Sequence, residues 1–336
     1  MNVKEWISSV IDMKEKLPMP ILSFPSANLM GVTVKELTSN SDLQAKGMKL
    51  IADRHKTLAS VSMMDLSVEA EAFGAKIHFA EDEVPTVVGA LIQSPKDAEA
   101  LIVPSVKAAR CGIYLDAIKK ARSLITDRPL LAGVIGPFSL AGRLMDVTEV
   151  MINCYTDPDM VHAVLDKCAE FLVNFIKEYR KNGADGVVIA EPLTGMLSPT
   201  LAEEFSQPYV RRIIEAVQDD EFCVVYHNCG DNVMLMADSF KKLGAMAYHY
   251  GNSIKLSEMI TKMPSEVLVM GNVDPAGVIK NGSVESVRSA TLGVMNECRE
   301  YPNFIISSGC DIPHESSWKN IDAFFSAVSE FYANEK

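Results

Sequence analysis

The sequence contains no long uninterrupted apolar run and no block of basic residues. Its most apolar segment, LLAGVIGPFSLAG at residues 130–142, is broken by Gly136 and Pro137 and is shorter than the roughly 18 apolar residues that span a membrane. No run of five basic residues occurs, and 44 acidic side chains against 32 basic ones give a net charge of −12. Nucleic acids and anionic membranes bind concentrated positive charge, so we expect neither as a partner.

The first 18 residues lack the apolar core and the small-residue cleavage site of a secretory signal peptide. They predict an amphipathic helix that ends at Pro18. The seven cysteines are odd in number and scattered along the chain, which is typical of a protein in a reducing compartment rather than of a disulfide framework. We therefore expect a cytoplasmic protein.

Eight short segments rich in β-branched and apolar residues alternate with longer segments of helical periodicity. The predicted strands are residues 21–26, 63–68, 130–135, 186–190, 223–227, 246–250, 267–270 and 304–308. Eight strands with intervening helices favour a closed parallel barrel over an open sheet. The prediction is a single (β/α)8 TIM-barrel domain over residues 1–336, with residues 1–18 as an N-terminal helical extension.

The segment 69–128 is longer than one helical crossover. Its part AKIHFAEDEVPTV, residues 75–87, predicts an inserted hairpin, and an additional helix is expected beside it. We therefore expect an enlarged β/α connection here, inside one domain.

Polar and metal-ligating residue types lie at or directly after the ends of the later predicted strands. The C-terminal ends of the strands form the mouth of a barrel, where the catalytic residues of such folds lie. The residues concerned are Glu191, His227, Cys229, His249, Asn272, Asp274, Cys310 and Asp311. The sequence thus predicts one polar site at the mouth.

The strongest motif in this set is YHNCGD at residues 226–231. His227 and Cys229 are two residues apart, so in an extended segment both side chains point to the same side. Cys310 lies just beyond the last predicted strand, opens onto the same mouth and is the third candidate ligand. One imidazole and two thiolates suit Zn²⁺, and three protein ligands with one exchangeable position are typical of a catalytic site. The alternative is that His227 and Cys229 are core residues and Cys310 a free thiol.

Five segments carry a resemblance to a known superfamily. They are GPFSLA at 136–141, AEP at 190–192, HNCGD at 227–231, MGNVDP at 270–275 and SSGCDIP at 307–313. On these segments the chain resembles the uroporphyrinogen decarboxylase superfamily, and within it the methylcobalamin:coenzyme M methyltransferase branch, whose zinc signature is H-x-C with a distant cysteine. The arginine-rich RQAGR motif of the decarboxylases has no counterpart in residues 18–31, which read PMPILSFPSANLMG.

The resemblance implies a zinc-dependent methyltransferase. Zn²⁺ held by His227, Cys229 and Cys310 would bind a small substrate thiol, such as coenzyme M, and keep it as a thiolate. The methyl donor implied is a corrinoid, either free methylcobalamin or a corrinoid carried by a separate corrinoid protein.

Three residues are candidates for binding the corrinoid: Gly136, Asn272 and Asp274. Gly136, together with the small residues Ala190 and Gly195, could leave room for a macrocycle, and the other two lie in the shared MGNVDP segment. Asp274 could equally be the N-cap of the helix that follows it.

Glu191 and His249 are the catalytic candidates. Relatives can carry an acidic residue near the metal after the sixth strand, and the corresponding residues 245–252, AMAYHYGN, contain none. Glu191 or His249 could take that role, or the fourth position holds only water or the thiol. A hydrogen-bonded histidine at a strand end is an equal alternative for His249. Arg143 either contacts an acidic group of the substrate or forms a surface ion pair.

Three other functions stay open. One is a homocysteine methyltransferase, although this chain has no room for a folate-donor domain. Another is a corrinoid-binding protein that has lost catalysis and holds no zinc. The last is a uroporphyrinogen decarboxylase, which the missing arginines disfavour because a polycarboxylate substrate requires them. A homo-oligomer is consistent with a barrel, and no segment indicates its interface.

Overall fold

A computed structural model describes residues 2–334, and a sheet of seven parallel strands lies at its centre. The described residues form nine strands in all: β1 Ser60–Val61, β2 Ile77–His78, β3 Thr86–Val87, β4 Leu130–Ile135, β5 Gly186–Ala190, β6 Cys223–Asn228, β7 Ala247–Tyr250, β8 Leu268–Val273 and β9 Phe304–Ser308. The spatial order is β1-β4-β5-β6-β7-β8-β9, while β2 and β3 form a separate antiparallel pair. The fold is a TIM-type α/β barrel with its helices outside the sheet.

Sixteen α-helices connect and cover the strands in the described part of the chain. They are α1 Val3–Asp12, α2 Ser26–Met30, α3 Val34–Thr38, α4 Ser41–Arg54, α5 Val68–Ala72, α6 Pro95–Ala100, α7 Cys111–Leu124, α8 Pro137–Met145, α9 Val147–Thr156, α10 Pro158–Lys181, α11 Pro199–Phe205, α12 Gln207–Val217, α13 Ala237–Phe240, α14 Leu256–Met259, α15 Val284–Cys298 and α16 Trp318–Asn334. No helix among residues 2–334 is both long and apolar enough to span a membrane.

Helix α10 shows how the sequence specifies these elements. The Asp157 side chain accepts a hydrogen bond from the backbone N–H of Met160, and Pro158 occupies the first helical turn, where its missing N–H is not needed. Apolar residues then recur at three- and four-residue spacing, which buries one face of the helix against the sheet. The helix stops at Asn182 and Gly183, where the glycine has a φ of +100°.

The predicted strand 21–26 is wrong. Residues 18–22 run extended between β9 and β1 without forming a regular strand, and residues 26–30 form α2. The backbone N–H of Met19 donates to Ile306 O at 3.0 Å, and that of Leu58 donates to Pro18 O at 2.9 Å. This irregular segment therefore takes the place of the eighth strand and leaves seven regular ones.

The predicted strand 63–68 is also wrong, because β1 ends at Val61. Side chains replace the missing ladder along the edge of β4. The N–H of Gly133 donates to Ser62 Oγ at 2.9 Å, and the N–H of Ile135 donates to Glu69 Oε1 at 3.0 Å. Two side-chain acceptors thus satisfy backbone donors that a longer β1 would have paired.

The connection from residue 69 to 128 contains the hairpin of β2 and β3 and the short helix α6. Arg110 ties it to the segment that follows β1, since its guanidinium donates to Asp65 and Ser67 there and to Glu71 within the connection. The same guanidinium stacks over the Phe79 ring of the hairpin, 4.9 Å from its centroid.

Helix α1 closes the N-terminal end of the barrel and ends at Asp12, before the predicted Pro18. Val3, Ile7 and Val10 are buried on one face of it and pack in a cluster with inward-pointing strand residues, among them Leu131 and Leu268. Their spacing of four and three residues is that of an amphipathic helix.

Candidate metal centre

His227 points into the barrel because successive side chains of a strand alternate between its two faces. Cys223, Val225 and His227 are two residues apart in β6, and the first two belong to the interior cluster. Alternate residues of a strand share one face, so His227 points inward too. In the parallel ladder it lies opposite Ala190 of β5 and His249 of β7.

The structure brings His227, Cys229 and Cys310 together at the mouth. One potential ligand atom from each lies within 4.8 Å of the other two. The Sγ of Cys310 is 3.5 Å from His227 Nε2. His227 is buried, whereas both cysteines are partly exposed.

These three donors suit a tetrahedral zinc ion. Bonds of about 2.3 Å to sulfur and about 2.0 Å to nitrogen place the ligand atoms of such an ion roughly 3.5 to 3.8 Å apart. The observed separation of 3.5 Å between Cys310 Sγ and His227 Nε2 agrees with this. Three protein donors leave the fourth position for an exchangeable ligand.

The two thiols interact with each other. Their hydrogen bond lowers the pKa of Cys229 and, together with burial, raises the pKa of Cys310 to about 12. Cys229 is therefore the more acidic of the pair. The remaining cysteines are buried, and burial raises the pKa of each thiol; they are Cys111, Cys154, Cys168, Cys223 and Cys298.

Glycines hold the loops of the site in close contact. A Cβ atom on Gly251 would lie 2.6 Å from the Cα and the Cβ of Cys229. A Cβ on Gly195 would lie 2.4 Å from Gly230 Cα, next to the same cysteine in sequence. The loops after β5, β6 and β7 therefore pack backbone against backbone, which restricts the position of Cys229.

His249 is fully buried behind His227 rather than beside the cysteines. Its Nδ1 lies 2.9 Å from His227 Nδ1, and its Nε2 lies 2.7 Å from Ser307 Oγ. Burial, and then the neighbouring His227, lower the pKa of His249 well below its usual range. Among the described residues it is not one of the three clustered donors. Its catalytic role stays a prediction.

Glu191 is fully buried at the N-terminus of α8. Its carboxylate accepts hydrogen bonds from the backbone N–H groups of Phe138 at 3.0 Å and Ser139 at 2.7 Å, and from the Ser139 hydroxyl. Burial raises the pKa of Glu191 to about 7, against these hydrogen bonds. A Cβ on Gly136 would lie 2.3 Å from Glu191 Oε2, so the carboxylate fills the space beside this glycine. Catalysis by Glu191 and corrinoid contact by Gly136 stay predictions.

Asn272 and Asp274 both bind backbone groups. The Asn272 amide donates to Gly251 O at 2.9 Å and to Ile254 O at 2.8 Å, which links the end of β8 to the loop after β7. Asp274 accepts from the backbone N–H groups of residues 276 and 277 and caps the π-helical turn Pro275–Lys280. Their contact with a corrinoid stays a prediction.

Arg143 and Asp311 have polar groups left without partners. Arg143 is half-buried in α8 and makes no hydrogen bond or ion pair within residues 2–334; burial lowers its pKa, while nearby Asp65 raises it. Both carboxylate oxygens of Asp311 are buried without a hydrogen-bond partner. Burial raises the pKa of this carboxyl well above its usual range, and Cys310 adds to the effect.

Sequence reasoning missed Ser307, which hydrogen-bonds to His249. The signal was present in β9, because Ile305 belongs to the interior cluster and Ser307 lies two residues further along the same face. A hydroxyl on the inner face of a barrel strand needs a polar partner there.

The fold and the position of the site define the class of protein, which is a parallel α/β barrel with its polar site at the C-terminal ends of the strands. The family follows from a sequence profile. The uroporphyrinogen decarboxylase (URO-D) family matches residues 19–331, and the chain belongs to this family.

Three individual similarities accompany the family match. A methylcobamide:CoM methyltransferase of Methanosarcina acetivorans is 28% identical over 74% of this chain and 72% of its own length. A uroporphyrinogen decarboxylase of Alcanivorax borkumensis is 24% identical over 88% of this chain and 85% of its own length. The solved structure of a methyltransferase from Methanosarcina mazei covers 99% of both chains with a TM-score of 0.87 at 21% identity, which supports the fold.

Proposed function

We propose that this protein is a zinc-dependent methyltransferase that moves a methyl group from a methyl-corrinoid to a small thiol. The observation that carries the proposal is the cluster of His227, Cys229 and Cys310, whose donor atoms lie within 4.8 Å of one another. The similarity to a methylcobamide:CoM methyltransferase supports both the corrinoid donor and the thiol acceptor.

The reaction consists of one nucleophilic displacement. A bond forms between the acceptor sulfur and the methyl carbon, the carbon–cobalt bond breaks, and its electron pair stays on cobalt, which goes from Co(III) to Co(I). The thiol proton passes to solvent. When bound, Zn²⁺ would supply the acidity that makes the acceptor a thiolate at neutral pH.

The residues of this chain hold and orient the participants. His227, Cys229 and Cys310 would bind the metal and leave one position open to the acceptor sulfur. The packing of Gly251 on Cys229 holds that donor in place before the substrates arrive. Such preorganisation lowers the cost of reaching the reactive geometry.

The acceptor has an acidic group in this proposal. The guanidinium of Arg143 is half-buried and without a hydrogen-bond or ion-pair partner in residues 2–334, and arginine binds sulfonate or carboxylate through paired N–H donors. Coenzyme M, a thiol with a sulfonate, has the chemistry that this residue would recognise.

Uroporphyrinogen decarboxylation is the weaker assignment, although decarboxylase relatives cover more of the chain. A polycarboxylate substrate needs several cationic contacts. Residues 18–31 contain no arginine or lysine. Binding of substrate carboxylates by arginine also needs no cluster of metal ligands, so decarboxylation would leave the cluster of His227, Cys229 and Cys310 without a role.

Metal analysis combined with a thiol panel tests the proposal. Wild-type protein purified without chelator should carry about one zinc per chain, as expected for a three-ligand catalytic site. Cys229→Ala and Cys310→Ala should both lose it, whereas Cys154→Ala, a buried cysteine in α9, should retain it. The zinc-loaded wild type should demethylate methylcobalamin with coenzyme M, and the two zinc-free variants should not.

The proposal fails if fresh, reduced wild-type protein supplied with zinc binds none. It also fails if the zinc-loaded protein transfers no methyl group to any of coenzyme M, homocysteine and 2-mercaptoethanol. A preference for homocysteine would keep the chemistry and change the acceptor.

A further inference from the structure

A chain of hydrogen bonds leads from His227 through the barrel to the N-terminal segment. His227 Nδ1 lies 2.9 Å from His249 Nδ1 and 3.2 Å from the His249 carbonyl oxygen. His249 Nε2 lies 2.7 Å from Ser307 Oγ, and this hydroxyl lies 2.7 Å from the Met19 carbonyl oxygen. Each member is at least nine-tenths buried, so the chain is shielded from water.

The two carbonyl groups set the direction of every hydrogen bond, because a carbonyl oxygen can only accept. Ser307 has one hydroxyl proton and gives it to Met19 O. His249 Nε2 must therefore carry a proton and donate it to Ser307 Oγ. In a neutral imidazole the other nitrogen is then bare, so His249 Nδ1 accepts from His227 Nδ1–H.

The other end of the chain leads to the same assignment independently. The His249 carbonyl oxygen faces His227 Nδ1 and requires a proton on that nitrogen. In a neutral imidazole, the form that binds a metal ion, His227 Nε2 is then bare, and this is the atom that faces Cys310 Sγ at 3.5 Å. The carbonyl oxygens of Met19 and His249 thus both require the tautomer in which the lone pair on His227 Nε2 faces the two thiols.

We propose that His249 and Ser307 are positioning residues that select the tautomer and the ring orientation of His227, so that its Nε2 lone pair faces the metal. The proposal rests on the zinc site of the proposed function and reassigns His249 from catalysis to positioning. Outer hydrogen bonds of this kind orient metal-binding histidines in other sites.

A neutral imidazole in this place has an electrostatic advantage over a carboxylate. The site already holds two cysteine sulfurs and would receive a third sulfur as thiolate. A carboxylate partner for His227 would add negative charge next to these sulfurs, and no carboxylate oxygen in residues 2–334 hydrogen-bonds to His227 or His249. The histidine pair orients the ligand without repelling the incoming thiolate.

Long-range ¹H–¹⁵N NMR of the ring nitrogens tests the tautomers in zinc-free protein. We expect His227 as the Nδ1–H tautomer and His249 as the Nε2–H tautomer. The reverse tautomer at His227 would overturn the proposal whatever the zinc content. This measurement needs no zinc, so its result is separate from any failure of the proposed function.

Competition with a chromophoric chelator tests the effect on zinc binding. Ser307→Ala should weaken zinc binding by about 10- to 100-fold, the usual effect of losing an outer hydrogen bond at a metal site. Ser307→Thr keeps the hydroxyl and should restore most of the affinity. Ser308→Ala, a buried neighbour in β9 whose hydroxyl accepts from the Ile21 N–H instead, is the matched control and should bind zinc as the wild type does.

Co²⁺ substitution provides a signature that loss of stability would not produce. The sulfur-to-cobalt and d–d absorption bands should shift in Ser307→Ala and not in Ser308→Ala. Equal losses of zinc affinity in the two variants would overturn the proposal, as would wild-type affinity and spectra in Ser307→Ala. His249→Asn, whose amide oxygen can accept near the position of Nδ1, should retain more affinity than His249→Leu, and equal losses would contradict the assignment.

Discussion

The barrel has one regular side and one irregular side. From β4 to β9 each strand pairs with the next over at least three residues. On the irregular side, β1 pairs with β4 over only two residues, and the extended segment 18–22 lies between β9 and β1. The regular side aligns the donors of the candidate metal centre, whereas the irregular side is held by buried side chains such as Ser62, Glu69 and Arg110.

The two sides therefore differ in what they determine. The regular side determines the geometry of the candidate metal centre, and the irregular side contributes more to the stability of the fold. On the regular side the strand register aligns His227 with His249, so backbone geometry determines which side chains meet. On the irregular side, single side chains satisfy backbone donors and buried charges. We therefore expect substitutions on the irregular side to lower stability most, and substitutions on the regular side to change the site first.

The largest expected effect is on the irregular side, with Arg110→Ala. Arg110 and Asp65 form a buried ion pair, and removing one partner of such a pair leaves an uncompensated charge. The free energy of unfolding in urea should fall by about 3 to 5 kcal/mol. Arg288→Ala, which breaks the exposed pair with Glu330, should lower the free energy of unfolding far less, because exposed ion pairs contribute little to stability. Similar losses in both variants would refute this view of the irregular side.

A pH effect of similar size comes from Glu69. Burial raises its pKa to about 7 in the folded protein, above the ordinary value, so the folded state binds the proton more tightly than the unfolded state. This contribution to stability is complete at low pH and is lost as the pH rises through about 7, amounting to about 3 kcal/mol at 1.36 kcal/mol per pKa unit. Glu69→Gln should reduce the difference in unfolding free energy between about pH 5 and about pH 8 by that amount. An unchanged pH dependence would contradict the prediction.

On the regular side, Gly251→Ala should disturb the metal centre more than the fold. The added methyl group would lie 2.6 Å from Cys229, so the cysteine or the loop must move. Overpacking of this kind costs about 1 to 3 kcal/mol, and zinc affinity should fall at the same time. Gly293→Ala in α15, where nothing lies within 4 Å, is the control and should leave zinc binding unchanged and stabilise by up to about 1 kcal/mol. Zinc affinity equal to that of the wild type in Gly251→Ala would contradict the prediction, because the loop would then move without disturbing the metal centre.

The smallest expected effect concerns Arg143, which lies in α8 between the two sides. Arg143→Ala should raise KM for a sulfonated thiol by about tenfold, or about 1.4 kcal/mol, while zinc content and stability stay unchanged. KM for a neutral thiol such as 2-mercaptoethanol should not move. Equal changes for both thiols would exclude Arg143 from recognition of an acidic group.

Much of the regular side could be predicted from the sequence. Apolar, β-branched segments predicted β4, β5 and β9 with the observed ends, because fully buried parallel strands appear as short apolar runs between turn residues. The segments 21–26 and 63–68 were misassigned for the same reason. Both segments are almost entirely buried. Beside the segment 63–68, the side chains of Ser62 and Glu69 accept the hydrogen bonds of β4 N–H groups that a ladder would have paired, and no periodicity reports such replacements.

The candidate site could also be predicted only in part. His227, Cys229 and Cys310 could be grouped from the sequence because all three lie at or just beyond strand ends that meet at one mouth. The partner of His249 could not, since it depends on the register between β6 and β7 and on the rotation of two rings. The carboxylate of Glu191, which binds the N-terminus of α8, likewise depends on how that helix approaches the sheet.

Helix α1 closes the N-terminal end of the barrel. Val3, Ile7 and Val10 pack against the inward-pointing residues at the start of the strands, so this end of the barrel is filled with side chains, and the candidate metal centre lies at the opposite end. If a small thiol and a bulky corrinoid both enter there, they cannot pass each other. On the proposed function, the acceptor thiol would then have to reach the metal before the corrinoid covers the mouth. A barrel that is filled at one end would in this way favour an order of substrate binding.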